Sequence, residues 1–229
     1  MRKILFLLLF ILTINVNAQE SSNVVKWSPA SLYFNSALFQ WEQHVGKNGL
    51  ILDIGIPINT SISGRFGITS NTVASSKVGL ETVQVGYRFY ISKQPIYGTY
   101  LEPYFKTQTL RGTIVCNNNL GTVNAYLYTN NFGLQLGKQW LFGKHFVLDF
   151  YPIGLELGRV NGSAISKSDT EDKAIIIENS FNTDVKSYLP KYVRSNYYVG
   201  RYQTEVSAQL HSSWYPSFRT GFMIGYKFK

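Results

Sequence analysis

The chain alternates over long stretches between apolar and small or polar residues. From Phe218 onward, Phe218, Thr220, Phe222, Ile224, Tyr226 and Phe228 share one face, while Arg219, Gly221, Met223, Gly225 and Lys227 share the other. The same period of two sets Val83, Val85, Tyr87, Phe89 and Ile91 against Gln84, Gly86, Arg88 and Tyr90. It sets Phe132, Leu134, Leu136 and Trp140 against Gly133, Gln135, Gly137 and Gln139. Leu52, Ile54, Ile56 and Ile58 oppose Asp53 and Gly55, and Phe39 and Trp41 oppose Gln40, Glu42 and His44. The pattern predicts an all-β chain of eight strands near 24–33, 36–45, 49–59, 80–91, 96–110, 125–142, 145–158 and 218–228. Pro29 interrupts the first, whose exit is a tight turn at Phe34-Asn35. Beyond Pro152 the apolar set changes phase, from Phe146, Leu148 and Phe150 to Ile153, Leu155 and Leu157. That change predicts a bulge at Tyr151-Pro152, which keeps Asp149 and Glu156 on one face.

Turn length alternates as well. Short turns follow strands two, four and six, at Gly46-Lys47-Asn48, Ser92-Lys93-Gln94-Pro95 and Gly143-Lys144, whereas 60–79, 111–124 and 159–217 are longer. A soluble sandwich also alternates. Two features favour a membrane: aromatics gather near strand ends, as in Tyr87-Arg88-Phe89-Tyr90, Trp140-Leu141-Phe142 and Tyr226-Lys227-Phe228, and the charges keep to the small-residue face. The expected architecture is an eight-stranded antiparallel transmembrane up-and-down β-barrel over 19–229, with 159–217 as one long extracellular loop. Parity then places both termini in the periplasm. Residues 1–18 read as a signal peptide, with Arg2-Lys3, an apolar core from Ile4 to Leu12, and small residues in Val16-Asn17-Ala18.

Composition narrows the classes further. Among 229 residues, 16 Tyr, 15 Phe and 4 Trp argue against disorder, and 19 Gly against a helical bundle. The single cysteine, Cys116, excludes a disulfide framework and a multi-cysteine zinc site, and no metal or cofactor is expected. Removing Arg2 and Lys3 takes the formal net charge from +9 to +7, so the exported chain stays basic. Outside the cytoplasm that charge suits anionic lipid headgroups or polysaccharide and not nucleic acid.

The segments Phe39-Gln40-Trp41-Glu42, Val85-Gly86-Tyr87-Arg88-Phe89-Tyr90, Gly133-Leu134-Gln135-Leu136-Gly137-Lys138-Gln139-Trp140 and Gly221-Phe222-Met223-Ile224-Gly225-Tyr226-Lys227-Phe228 resemble an uncharacterised family of small bacterial outer-membrane β-barrel proteins. That family is similar in form to the OmpA, OmpX and OmpW barrels. The resemblance covers the strands and not the long loop, and it brings no catalytic motif. The expected protein is a monomeric, non-enzymatic barrel. The resemblance implies that Phe228, followed here by Lys229, belongs to a terminal signal read by the barrel-assembly machinery.

The inward face carries the candidate chemistry. Glu42, Asp53, Glu102, Asp149 and Glu156 share it with Arg88, Lys106, Arg219 and Lys227. An eight-stranded barrel is just wide enough for side chains to fill, so these groups are expected to pair into a lumen plug, and the protein to serve envelope structure or surface interaction. The alternatives are a narrow pore for ions or small solutes, a general acid and base among the carboxylates, and a lipid-A-modifying enzyme. For the last, His211 and Ser213 form a His-x-Ser pair on one strand face, similar to the catalytic pair of an outer-membrane lipid A deacylase. His44 and His145 read as solvated turn histidines. In the long loop, Lys186, Lys191, Arg194, Tyr197, Tyr198, Arg201 and Tyr202 form a basic, tyrosine-rich surface suited to lipopolysaccharide phosphates or glycans. A short helix is expected within 181–193, and 197–209 alternates enough to extend the wall.

Overall fold

The structure, a computed structural model, describes residues 22–58, 60–61, 73–91, 97–116 and 120–228. The signal segment 1–18, the turn at 92–95, part of the 60–79 connection and Lys229 lie outside them. Ten strands form one sheet: β1 (Asn23–Ser28), β2 (Ser36–Val45), β3 (Asn48–Pro57), β4 (Thr60–Ser61), β5 (Val73–Tyr90), β6 (Gly98–Cys116), β7 (Thr122–Phe142), β8 (Phe146–Lys167), β9 (Tyr197–Tyr202) and β10 (Glu205–Phe228). Every pairing is antiparallel. Eight strands run in the order β1-β2-β3-β5-β6-β7-β8-β10, and β10 returns to β1 with Asn23 opposite Phe228, so the sheet closes in a ring. The short β4 pairs with β5, and β9 pairs with β10, outside that ring.

Strand bounds differ from the sequence reading mainly on the side of the long connections. There β5, β6, β7, β8 and β10 all run beyond the expected ends. Residues 159–167 and 205–217 are therefore strand and not loop, with Arg159 opposite Trp214 and Lys167 opposite Glu205. Periodicity could not reveal this, because polar and small residues such as Gly158, Gly162, Ser163 and Ser166 form a ladder without presenting an apolar face. The remaining connection holds α1 (Glu171–Ser180), a wide π-type turn (Phe181–Val185), α2 (Lys186–Tyr188) and α3 (Lys191–Arg194). The helix expected within 181–193 is thus divided, with Pro190 ahead of α3, and the longest helix precedes it. At the other end of the chain, β1 stops at Ser28 because Pro29 opens a 3₁₀ helix (Pro29–Phe34), which Asn35 ends in the left-handed region at φ 55°.

The bulge forms where the phase change places it. Leu136 faces Ile153 and Lys138 faces Phe150, so Gly137 alone spans Tyr151 and Pro152. On the other flank Arg219 faces Gly154 and Gly221 faces Tyr151. Pro152 and Ile153 both point outward, and Asp149 and Glu156 are both buried.

The two faces of the ring are inverted relative to a protein that buries its apolar groups. Outward side chains are apolar and open, with Phe132, Leu155 and Phe218 exposed at 66%, 63% and 78%. Inward side chains are charged or amide-bearing and sealed. Gly133 and Gly137 make room for this filling, since a Cβ at either would lie 2.2 Å from Tyr104 Cζ or 2.3 Å from Tyr100 Cζ. A separate apolar core forms at the long-connection end, where Ala174, Ile177 and Phe181 pack on Val123, Tyr197, Val206 and Ala208. Cys116 borders that core, and burial pushes its thiol pKa up.

Candidate functional site

Six of the eight ring strands contribute to one charged layer near the short-turn end. Arg88, from β5, donates through Nε and Nη2 to Glu102 Oε2 on β6 at 2.9 and 2.6 Å. Its Nη1 crosses the interior to Glu42 Oε2 on β2 at 3.1 Å, Gln139 Oε1 on β7 at 2.8 Å and Asp149 Oδ2 on β8 at 2.9 Å. Lys26, from β1, meets the same acceptors, with Nζ 2.6 Å from Glu42, 2.8 Å from Asp149 and 2.8 Å from Gln40. The hydroxyls of Tyr90 and Tyr100 donate to Glu42 and Asp149, each at 2.7 Å, and the guanidinium of Arg88 lies 3.8 Å over the Tyr100 ring. These charged side chains are fully buried, and each carboxylate touches at least one cation. That arrangement offsets the large desolvation cost of burying ions.

A second layer sits toward the long connections. Glu156 Oε1 accepts from Lys106 at 2.5 Å and Tyr104 at 2.8 Å, and its Oε2 accepts from Ser217 at 3.0 Å and Asn131 at 3.2 Å. Arg219 lies between the rings of Tyr104 and Tyr151 and donates to Gln84 Oε1. Gln84 in turn donates to Glu102 Oε1 at 3.2 Å, joining the two layers.

Of the nine lumen residues read from sequence, eight occupy the interior together: Glu42, Asp53, Arg88, Glu102, Lys106, Asp149, Glu156 and Arg219. Lys227 does not join them. It sits half-buried at the rim, without an ion pair to any described residue, because β10 ends there. Lys26 and Tyr100 were missed, while Gln40 was placed on the Glu42 face by alternation without being counted among the interior groups. The signal was present, for Val24, Lys26 and Ser28 are buried while Val25 faces out, but Pro29 left that strand too short for its alternation to stand out.

The histidine readings change. The imidazole of His44 is buried, its Nε2 3.1 Å from Glu42 Oε1, so it belongs to the interior and not to a solvated turn. His145 is half-buried, its Nδ1 3.0 Å from the Lys227 carbonyl and its ring stacked on Tyr226. His211 and Ser213 do not share a face. A register shift between Leu210 and Ser213 turns His211 outward against Tyr198 and buries Ser213, whose Oγ donates to the His211 carbonyl at 2.9 Å. No hydroxyl-to-imidazole contact is made, so a nucleophile and its base are not assembled there.

The loop residues are dispersed. Tyr197 is buried with its hydroxyl donating to the Phe181 carbonyl at 3.2 Å. Arg194 is spent on the carbonyls of Leu189 and Ser187, and Arg201 on Glu178 at 2.8 Å. Tyr198, Tyr202 and Lys191 are exposed, and Lys186 half-buried. No family model matches this chain, and no curated protein matches it either.

Proposed function

We propose that the chain is a β-barrel of the bacterial outer membrane whose lumen is closed by its own side chains, a non-enzymatic monomer serving envelope structure or surface interaction. The inversion of polarity carries this reading. A belt of open Phe, Leu, Ile and Val surrounds a sealed interior of Arg, Lys, Glu and Asp, and exposed apolar surface of that extent is a surface that meets lipid or protein.

The belt has a membrane's height. Lys138 lies beside the Trp140 ring near one rim, and Arg159 lies 4.5 Å over the Trp214 ring on the outer face near the other. Lys138 faces Phe150, nine residues from Arg159 along β8. At about 3.3 Å per residue the two levels are about 30 Å apart along the strand. A tilt of about 40° brings that to about 23 Å, close to the apolar band of outer-membrane barrels. Between these levels the outward positions of the described ring strands carry no charge. Tyr87, Phe89, Phe142, Phe146, Tyr226 and Phe228 make ring contacts at the short-turn end, as an interfacial girdle would. In this orientation both chain ends and the short turns are periplasmic, and the partners are outer-membrane lipid or lipopolysaccharide and, through Phe228, the assembly machinery.

The plug is favoured over a pore because Arg88 reaches from β5 to β2, β6, β7 and β8 and bars the cross-section. Cell fractionation and planar-bilayer recording test the reading. The protein is expected in the outer-membrane fraction after carbonate extraction, and bilayers containing it are expected to stay electrically quiet. Recovery as a soluble periplasmic protein would overturn the membrane assignment. A stable conductance would overturn the plug and favour the narrow pore.

A further inference from the structure

The polarity of the wall reverses above the charged layers. In the long-connection half the outward Arg111, Asn124 and Ser163 are polar and exposed, while Leu110, Val123 and Leu127 of β6 and β7 point inward. An inward apolar face needs an apolar partner, and the connection supplies only part of it, through Phe181 and Leu189. Between that connection and the inner faces of β6, β7, β8 and β10 remains a cavity of about 290 Å³. A dry apolar cavity of about 150 Å³ is enough to take up benzene.

The chemistry of the lining selects what can fill that space. Among the described residues no charged side chain lines it. Of the polar side chains at its wall, the Tyr197 hydroxyl already donates to the Phe181 carbonyl at 3.2 Å, and Tyr126 and Ser163 stand at outward positions of β7 and β8. A water held inside a protein needs about two to four polar partners, and this wall does not offer them. Left empty, the facing side chains forgo the dispersion contacts that an apolar filler would give them. Thr129 and Val160, buried and opposite one another, separate the cavity from the Glu156 layer. The exposed Val185 and half-buried Leu189 place its mouth at the connection.

We propose that this cavity binds a small uncharged hydrocarbon, of about the size of an alkylbenzene, which enters beside Val185 and lies against Leu110, Val123, Leu127 and Phe181. Concave, largely apolar sites of this kind are where small molecules bind. The site depends on the wall and the connection alone and does not rest on the membrane assignment.

Calorimetric titration of the full folded chain with propylbenzene tests it, in amphipol so that no free detergent competes. Phenylpropylammonium and phenylpropionate serve as cationic and anionic counterparts of similar size. Saturable binding of propylbenzene is expected, with each counterpart about tenfold weaker or more, because its charge would be buried without a partner. Ala125→Trp on β7 and Ala164→Phe on β8, at positions facing each other in the ladder, fill the cavity with apolar bulk. Each should weaken binding about tenfold or more, so the test survives if one of them fails to fold. Absence of saturable binding beyond partition into protein-free amphipol would overturn the proposal. Equal binding of the charged counterparts, or undiminished binding by either folded variant, would overturn it too.

Discussion

Arg88 is surrounded by three carboxylates, two amide oxygens and a tyrosine face, so its removal reaches well beyond any one contact. Arg88→Ala strands Glu102 in a dry interior and should cost roughly 3 to 5 kcal/mol in urea unfolding of the detergent-folded protein. Pairing it with Glu102→Gln should recover part of that loss and not all, because Lys26 alone would then hold Glu42 and Asp149. A coupling energy under about 0.5 kcal/mol in the double-mutant cycle would mean that the contact between Arg88 and Glu102 carries no energy of its own. Parity along β5 and β6 was enough to place these two residues inward. What it cannot give is reach: that Arg88 would extend to β8, or that Asp53 would form no direct ion pair with a described residue, depends on side-chain lengths across a closed ring.

Among the elements, β8 does the most to arrange the interior, and it does so through one extra residue. Tyr151-Pro152 lets Asp149 face the lower layer and Glu156 the upper, although seven residues separate them and strict alternation would put them on opposite faces. Deleting Pro152 removes the extra residue and leaves a six-residue spacing, so strict alternation keeps both carboxylates on the inner face. The deletion variant is therefore expected to retain the heat-modifiable folded form on electrophoresis, as Pro152→Ala should, whereas an alanine inserted between Gly154 and Leu155 turns Glu156 toward the apolar belt and should lose it. Retention of the folded form by the insertion variant would mean that the inward placement of Glu156 is not needed. The phase change at Pro152 is written in apolar residues and so was readable. Helix α1 was not, for only Ala174 and Ile177 of its ten residues are buried, and what gives them a partner is the inner face of β7 and β10, some 30 to 50 residues away in sequence.

At the scale of the whole molecule the two ends of the ring differ. Turns at one end are short, as at Gly46 and Gly143 with their positive φ, while the other end carries the helices and β9. In the proposed orientation, trypsin added to intact cells should cut after Lys191, exposed at the start of α3, and spare Lys144. Cutting at Lys144 alone would invert the orientation. The seam of the ring has a further consequence. β1, the shortest ring strand, docks on β10 at five positions from the opposite end of the described chain, and it carries Lys26 into the centre of the charged layer. A sheet lacking that one strand would have a raw edge on β10, and Glu42 and Asp149 would be without their lysine. Geometric closure and charge neutralisation therefore arrive together, and β1 acts as a bolt: until the two most distant strands meet, neither the wall nor its filling is complete.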